Sequence, residues 1–97
     1  MTTKQRAYLK SLASTMDVIV HIGKESLTPQ VVASVEEALT ARELIKIGVL
    51  KNCADDPKTL AQIISERTHS DVVQVIGKKI VLYKPDKKNP KIKLPLA

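Results

Sequence analysis

Two dipeptides, Thr28-Pro29 and Asp56-Pro57, constrain the fold of this chain most. In each, a side-chain oxygen can accept from the orphan N–H groups of a first helical turn, and proline at the first helical position gives up no hydrogen bond. Each pair also lies between apolar, β-branched runs. Residues 18–22 precede the first, Glu43 to Leu50 separates the two, and Val72 to Ile76 follows the second, so strand-helix-strand occurs twice. Such units imply parallel neighbouring strands.

The remaining elements follow from spacing. From Thr3 to Ser14 the apolar residues Tyr8, Leu9, Leu12 and Ala13, then Met16, fall at helical intervals, with Arg6 and Lys10 four apart on another face. Val31, Val32, Val35, Ala38 and Leu39 form the inner stripe of the second helix, leaving Ala33, Glu36, Glu37 and Thr40 solvated. Leu60, Ala61, Ile63, Ile64 and Arg67 form that of the third, which is expected to fray from Thr68 to Ser70. Gly77-Lys78-Lys79 reads as a glycine-led turn joining Val72–Ile76 to Ile80–Tyr83 in an antiparallel hairpin. The expected architecture is α/β in the order α-β-α-β-α-β-β, a four-stranded mixed sheet with three helices. Because Val72 to Ile76 is apolar on both sides, the helices are not all assigned to one sheet face, and the pattern leaves room for partial coverage of the second. Pro85, Pro90 and Pro95 should keep the tail extended and off the sheet, giving a single domain over 1–85 and a basic, proline-containing tail over 86–97.

At 97 residues, a single domain burying roughly 60 to 70% of the extended chain's surface is expected. With two tyrosines and neither Phe nor Trp, the core is aliphatic, which argues against recognition by aromatic stacking. The formal charge of +6 is confined to one region. Through Gly77, six Lys and three Arg balance four Asp and five Glu, whereas Lys78 to Lys93 sets seven lysines against Asp86 alone. A field of that sign attracts polyanions. No apolar run approaches the ~20 residues needed to span a bilayer, and no signal-peptide core follows the start, so a soluble, cytoplasmic protein is expected.

Enzyme signatures are missing. Cys53 is the only cysteine, so no intrachain disulfide is available, and with His21 and His69 it makes no zinc spacing. Glu36 and Glu37 are adjacent on a helix and point about 100° apart, a poor arrangement for shared acid–base work. His21, in a strand next to the Gly23 loop, could be an RNA contact but reads rather as a partly buried, satisfied imidazole. Neither cofactor nor metal is expected.

Where the first strand stops, Gly23-Lys24-Glu25-Ser26 leads into the Thr28-Pro29 helix start. Glycine permits close approach, lysine adds charge, and first-turn N–H groups favour phosphate. The pattern fails as a nucleotide-hydrolysing phosphate loop, because no glycine stands five residues before Gly23. KH domains show that a short G-x-x-G loop can clamp a nucleic-acid backbone without rings. Taken alone, such a loop is more often a plain connection; the confined basic charge, with Lys78 and Lys79 held on a tight turn, adds weight.

Several stretches resemble one family in order and spacing: Thr3-Lys4-Gln5-Arg6 through Leu9-Lys10-Ser11-Leu12-Ala13, Ile22-Gly23-Lys24 with Leu27-Thr28, Glu43-Leu44-Ile45-Lys46-Ile47, Gln74-Val75-Ile76-Gly77-Lys78, Leu82-Tyr83-Lys84-Pro85 and Lys93-Leu94-Pro95. The chain resembles the CRM domain (chloroplast RNA splicing and ribosome maturation) in its small stand-alone bacterial YhbY-type form. The resemblance implies a fold similar to the C-terminal domain of a bacterial translation initiation factor. It also implies RNA binding by the loop and an adjacent basic surface, and association with ribosomal RNA or large-subunit ribosome precursors during assembly. The expected contacts are Gly23, Lys24 and Ser26, with Arg6, Lys10, Lys78, Lys79, Lys84, Lys87 and Lys88, in a non-enzymatic monomer. The family loop usually ends in glycine where Ser26 stands, so a positive φ there would be costly. The alternatives are an adaptor docking on an acidic protein, a KH-like general nucleic-acid binder and a duplex-DNA binder.

Overall fold

The computed structural model describes residues 1–96, and its seven elements follow the expected order: α1 (Thr3–Ala13), β1 (Val18–Ile22), α2 (Pro29–Arg42), β2 (Leu44–Val49), α3 (Pro57–Thr68), β3 (Asp71–Ile76) and β4 (Lys79–Tyr83). Both cap-proline pairs open helices. Thr28 Oγ1 accepts from the Val31 N–H at 3.1 Å, and Asp56 Oδ2 from the Thr59 N–H at 3.3 Å. α1 begins with a capping box in which Thr2 Oγ1 accepts the Gln5 N–H and Gln5 Oε1 the Thr2 N–H, each at 3.1 Å.

The strands form one sheet in the order β1-β2-β4-β3. β1 and β2 are parallel and the other two pairings antiparallel, which makes the mixed four-stranded sheet. One expectation fails. β2 and β3, linked through α3, run in the same direction but are not neighbours, because β4 lies between them. Gly77 (φ 56) and Lys78 form a two-residue turn that folds β4 straight back on β3. β4 then uses its other edge on β2, and this central position matches its composition: Ile80, Val81, Leu82 and Tyr83 are buried on both faces. Lys79, expected in the turn, is the first residue of β4.

Two cores lie on opposite sheet faces. One gathers Val20, Ile22, Ile45, Ile47, Ile80 and Leu82 from the strands with Val35, Leu39, Leu60 and Ile64 from α2 and α3. The other sets Leu9 and Ala13 of α1 against Leu44, Val73, Val81 and Tyr83. Each fully buried Leu or Ile contributes roughly 1.5 to 3 kcal/mol. Two details of the helices differ from expectation. Tyr8 is exposed, and on α3 the buried stripe runs through Ala61, Ile64, Ser65 and Thr68 while Arg67 faces solvent, a better fit to i, i+3, i+4, i+7 spacing. The end of α3 is capped rather than frayed. Thr68 Oγ1 donates to Ile64 O at 2.7 Å, and left-handed His69 (φ 54) donates its N–H to Ser65 O.

Glu43, expected to open β2, instead ends α2 with φ 65 and ψ −44, wholly buried. Its carboxylate accepts the backbone N–H groups of Asp86 (2.7 Å), Lys91 (2.6 Å) and Ile92 (2.9 Å). The tail stays off the sheet, as its prolines require. It nevertheless folds back, so that Ile92 and Leu94 pack on the second core and Pro95 O accepts from Gln5 Nε2 at 3.1 Å.

Candidate nucleic-acid interface

α1 and the tail cover only part of their sheet face. Side chains alternate across a strand, so register and core membership identify the uncovered rows. His21 pairs with Gly48, Gly48 with Lys79, and Lys79 with Ile76, making a row across all four strands. Behind it runs Val18–Lys46–Val81–Gln74, half-open at Lys46 and Gln74 while Val81 is buried in the second core, and bordered by Lys10 and Ala13 of α1 and its C-cap Ser14 in a cleft of about 330 Å³. A second cleft, about 510 Å³, lies over His21, Gly48, Ile76 and Lys79.

The open rows lie at the sheet end where the glycine loop sits. Leu50 N–H donates to Ile22 O at 2.8 Å, and Val49 N–H to Lys78 O at 2.7 Å, tying the strand before Gly23 to the hairpin tip through two consecutive residues. Lys24, Lys51, Lys78 and Lys79 are all exposed at this end.

Within the loop, the Ser26 N–H donates to Gly23 O (2.9 Å) and the Thr28 N–H to Ser26 O (3.1 Å). Ser26 has φ 58: the positive φ that favours glycine in the second loop position is present, and serine adopts it. Gly23 is different. Its φ is not positive, and a Cβ there would meet Leu50 Cδ1 at 3.5 Å and Asn52 Oδ1 at 3.7 Å, ordinary contacts. Neither backbone nor packing demands glycine at 23. The start of α2 offers less than the sequence suggested. Pro29 has no N–H, and those of Val31 and Val32 go to Thr28, leaving Gln30 to face a ligand from the first turn.

The expected contact residues fall into three groups. Gly23, Lys24, Ser26, Lys78 and Lys79 share one end, with exposed Lys10 bordering the open face. Lys84, Lys87 and Lys88 follow β4 at the opposite end, one strand length or about 17 to 20 Å away. Arg6 is engaged in the fold: Nη1 donates to Val72 O (2.6 Å) and Val73 O (3.0 Å), where a bulge in β3 breaks the ladder. Two residues of this surface, Lys46 and Lys51, escaped the sequence reading, and a third, His21, is read there as structural. Lys46 is the single charge within β2, a usable sign that its side of the strand is open. Lys51 lies on the loop beneath Gly23. His21, expected to be partly buried, is exposed, because α1 does not reach across to β1.

Among the described residues no cluster of three or more His, Cys, Asp or Glu could hold a metal ion, and no helix is long and apolar enough to cross a membrane.

Fold and surface together define a small three-layer α/β domain whose mixed sheet is half-covered on one face and rimmed there by lysines. The chain belongs to the CRS1/YhbY (CRM) domain family, whose model matches residues 1–84. Over 95 residues it is 41% identical to the Probable RNA-binding protein YqeI of Bacillus subtilis (strain 168), covering 98% of this chain and 99% of that protein. It is 37% identical over 95 residues to an RNA-binding protein of Haemophilus influenzae, covering 98% and 95%. The solution structure of the hypothetical protein SAV1595 from Staphylococcus aureus, a candidate RNA-binding protein, matches with a TM-score of 0.82 at 46% identity, covering 98% of this chain and 99% of that one.

Proposed function

We propose that this protein binds RNA at the sheet end formed by the Gly23–Ser26 loop, the Gly77-Lys78 turn and the open rows beside them. Through that surface it associates with ribosomal RNA or large-subunit ribosome precursors and assists their assembly, acting as a monomer without catalysis. The supporting observation is the convergence of loop and hairpin tip, bridged by Val49 and Leu50, which sets Lys24, Lys78 and Lys79 at one end of the sheet. Lysines act as point charges on phosphate, fixing affinity and register more than sequence. Gly23, which the fold does not need as glycine, is accounted for by close approach of a phosphate to the backbone. The family and the RNA-binding names of its relatives support the same ligand.

Crosslinking followed by sequencing of bound RNA tests this reading. Enrichment of large-subunit ribosomal RNA, weakened in Lys24→Glu with an unchanged circular dichroism spectrum, is expected. Undiminished RNA capture by that variant would favour an adaptor docking acidic proteins through Lys84, Lys87 and Lys88, and RNA capture without ribosomal enrichment would remove the assembly role.

A further inference from the structure

The row His21–Gly48–Lys79–Ile76 carries more than charge. We propose that it seats one unpaired RNA base, with the His21 imidazole as the stacking platform; this deepens the RNA-binding reading and rests on it. A Cβ at Gly48 would stand 3.0 Å from Val18 Cγ1 and 3.4 Å from His21 Cδ2. Those two side chains therefore occupy the space over Gly48, and the imidazole rests against the sheet while His21 remains exposed. A Cβ at 48 would press chiefly on Val18 and just touch the ring.

The surroundings fit a nucleotide. In a chain that buries most of its aliphatic side chains, Ile76 is 57% and Leu50 43% exposed, and both flank the cleft over His21. Its volume of about 510 Å³ falls within the usual range for small-ligand sites. Apolar walls and a ring suit a base face, while Lys78 and Lys79 on the rim suit the phosphates on either side. A duplex keeps its base faces inside its own stack, so the occupant is a base from a loop, bulge or single strand. The adjoining Gly23–Ser26 loop would hold the backbone leading to it.

The test uses a short single-stranded RNA carrying one 2-aminopurine and a duplex of the same sequence, with the full chain as wild type, His21→Ala and His21→Phe. Quenching of the probe by wild type and by His21→Phe is expected, with single-strand affinity about 5- to 10-fold weaker in His21→Ala. Duplex affinity and the salt dependence should match wild type, since no phosphate contact is removed. Wild-type single-strand affinity in His21→Ala, or equal losses on strand and duplex, would overturn the platform while leaving RNA binding intact. If wild type binds neither RNA, the platform and the functional reading fall together.

Discussion

The carboxylate of Glu43 accepts the backbone N–H of Ile92 at 2.9 Å across 49 positions of chain. With the N–H groups of Asp86 and Lys91 on the same carboxylate, this one side chain at the end of α2 holds the tail over the second core. Glu43→Gln replaces one accepting oxygen by a donor. Urea denaturation should show a loss of roughly 2 kcal/mol, the scale of a charge-assisted hydrogen bond, and Glu43→Ala a larger one. A change below about 0.5 kcal/mol, the scale of a neutral surface substitution, would contradict this role.

That arrangement marks where the sequence stopped being readable. Local signals carried far: the caps at Thr28 and Asp56, the β-branched runs, the Gly77 turn and the helical spacing of apolar residues in α1 each act over a few residues, and together they located all seven elements. What depended on contacts distant in sequence was not legible. Glu43 looks like the first residue of a strand until the tail's N–H groups are placed around it. Arg6 looks like a free basic edge until the β3 bulge supplies two carbonyls. The position of β4 between β2 and β3 is set by competition for a sheet edge, which no local pattern records. For the candidate site, Gly23, Lys24, Lys78 and Lys79 could be named from sequence, whereas the exposure of His21 and its seat beside Gly48 required the fold.

The two ends of the loop should respond oppositely to substitution. Gly23→Ala fits the backbone and the space, so thermal stability should hold or rise slightly; if phosphate approaches the backbone at Gly23 as proposed, the added Cβ should crowd it and RNA affinity should fall. Ser26→Gly relieves a positive φ and should stabilise by up to about 1 kcal/mol with RNA affinity retained. Paired melting and binding measurements on the two variants check both.

Arg6 should behave as a structural residue. Removing its donors leaves Val72 O and Val73 O without Nη1, so Arg6→Ala should cost about 1 to 3 kcal/mol in denaturant unfolding. RNA affinity measured well below the melting temperature should change little. A selective affinity loss at unchanged stability would return Arg6 to the binding surface.

Tyr83 couples the second core to alkaline pH. Burial, followed by the charges of Glu43 and Asp71, raises its pKa above the ordinary 10.0. The folded state then holds the phenolic proton after the unfolded state begins to release it. Stability from this group is therefore complete below about pH 10 and declines as pH rises towards the folded pKa. Tyr83→Phe should flatten that part of the stability–pH curve in urea titrations between pH 9 and 11, values chosen about the reference pKa.

The central claim is that RNA engages the lysines of the loop-and-hairpin end and not those at the far end. Salt titration of single-stranded RNA binding tests it with two triple variants, Lys24→Gln/Lys78→Gln/Lys79→Gln and Lys84→Gln/Lys87→Gln/Lys88→Gln. With about five phosphates neutralised, wild type should give a log-log slope near −3.5. The first variant should lose about 2 from that slope, along with most of its affinity, while the second stays close to wild type. An unchanged slope in the first variant, or the larger loss in the second, would contradict the account.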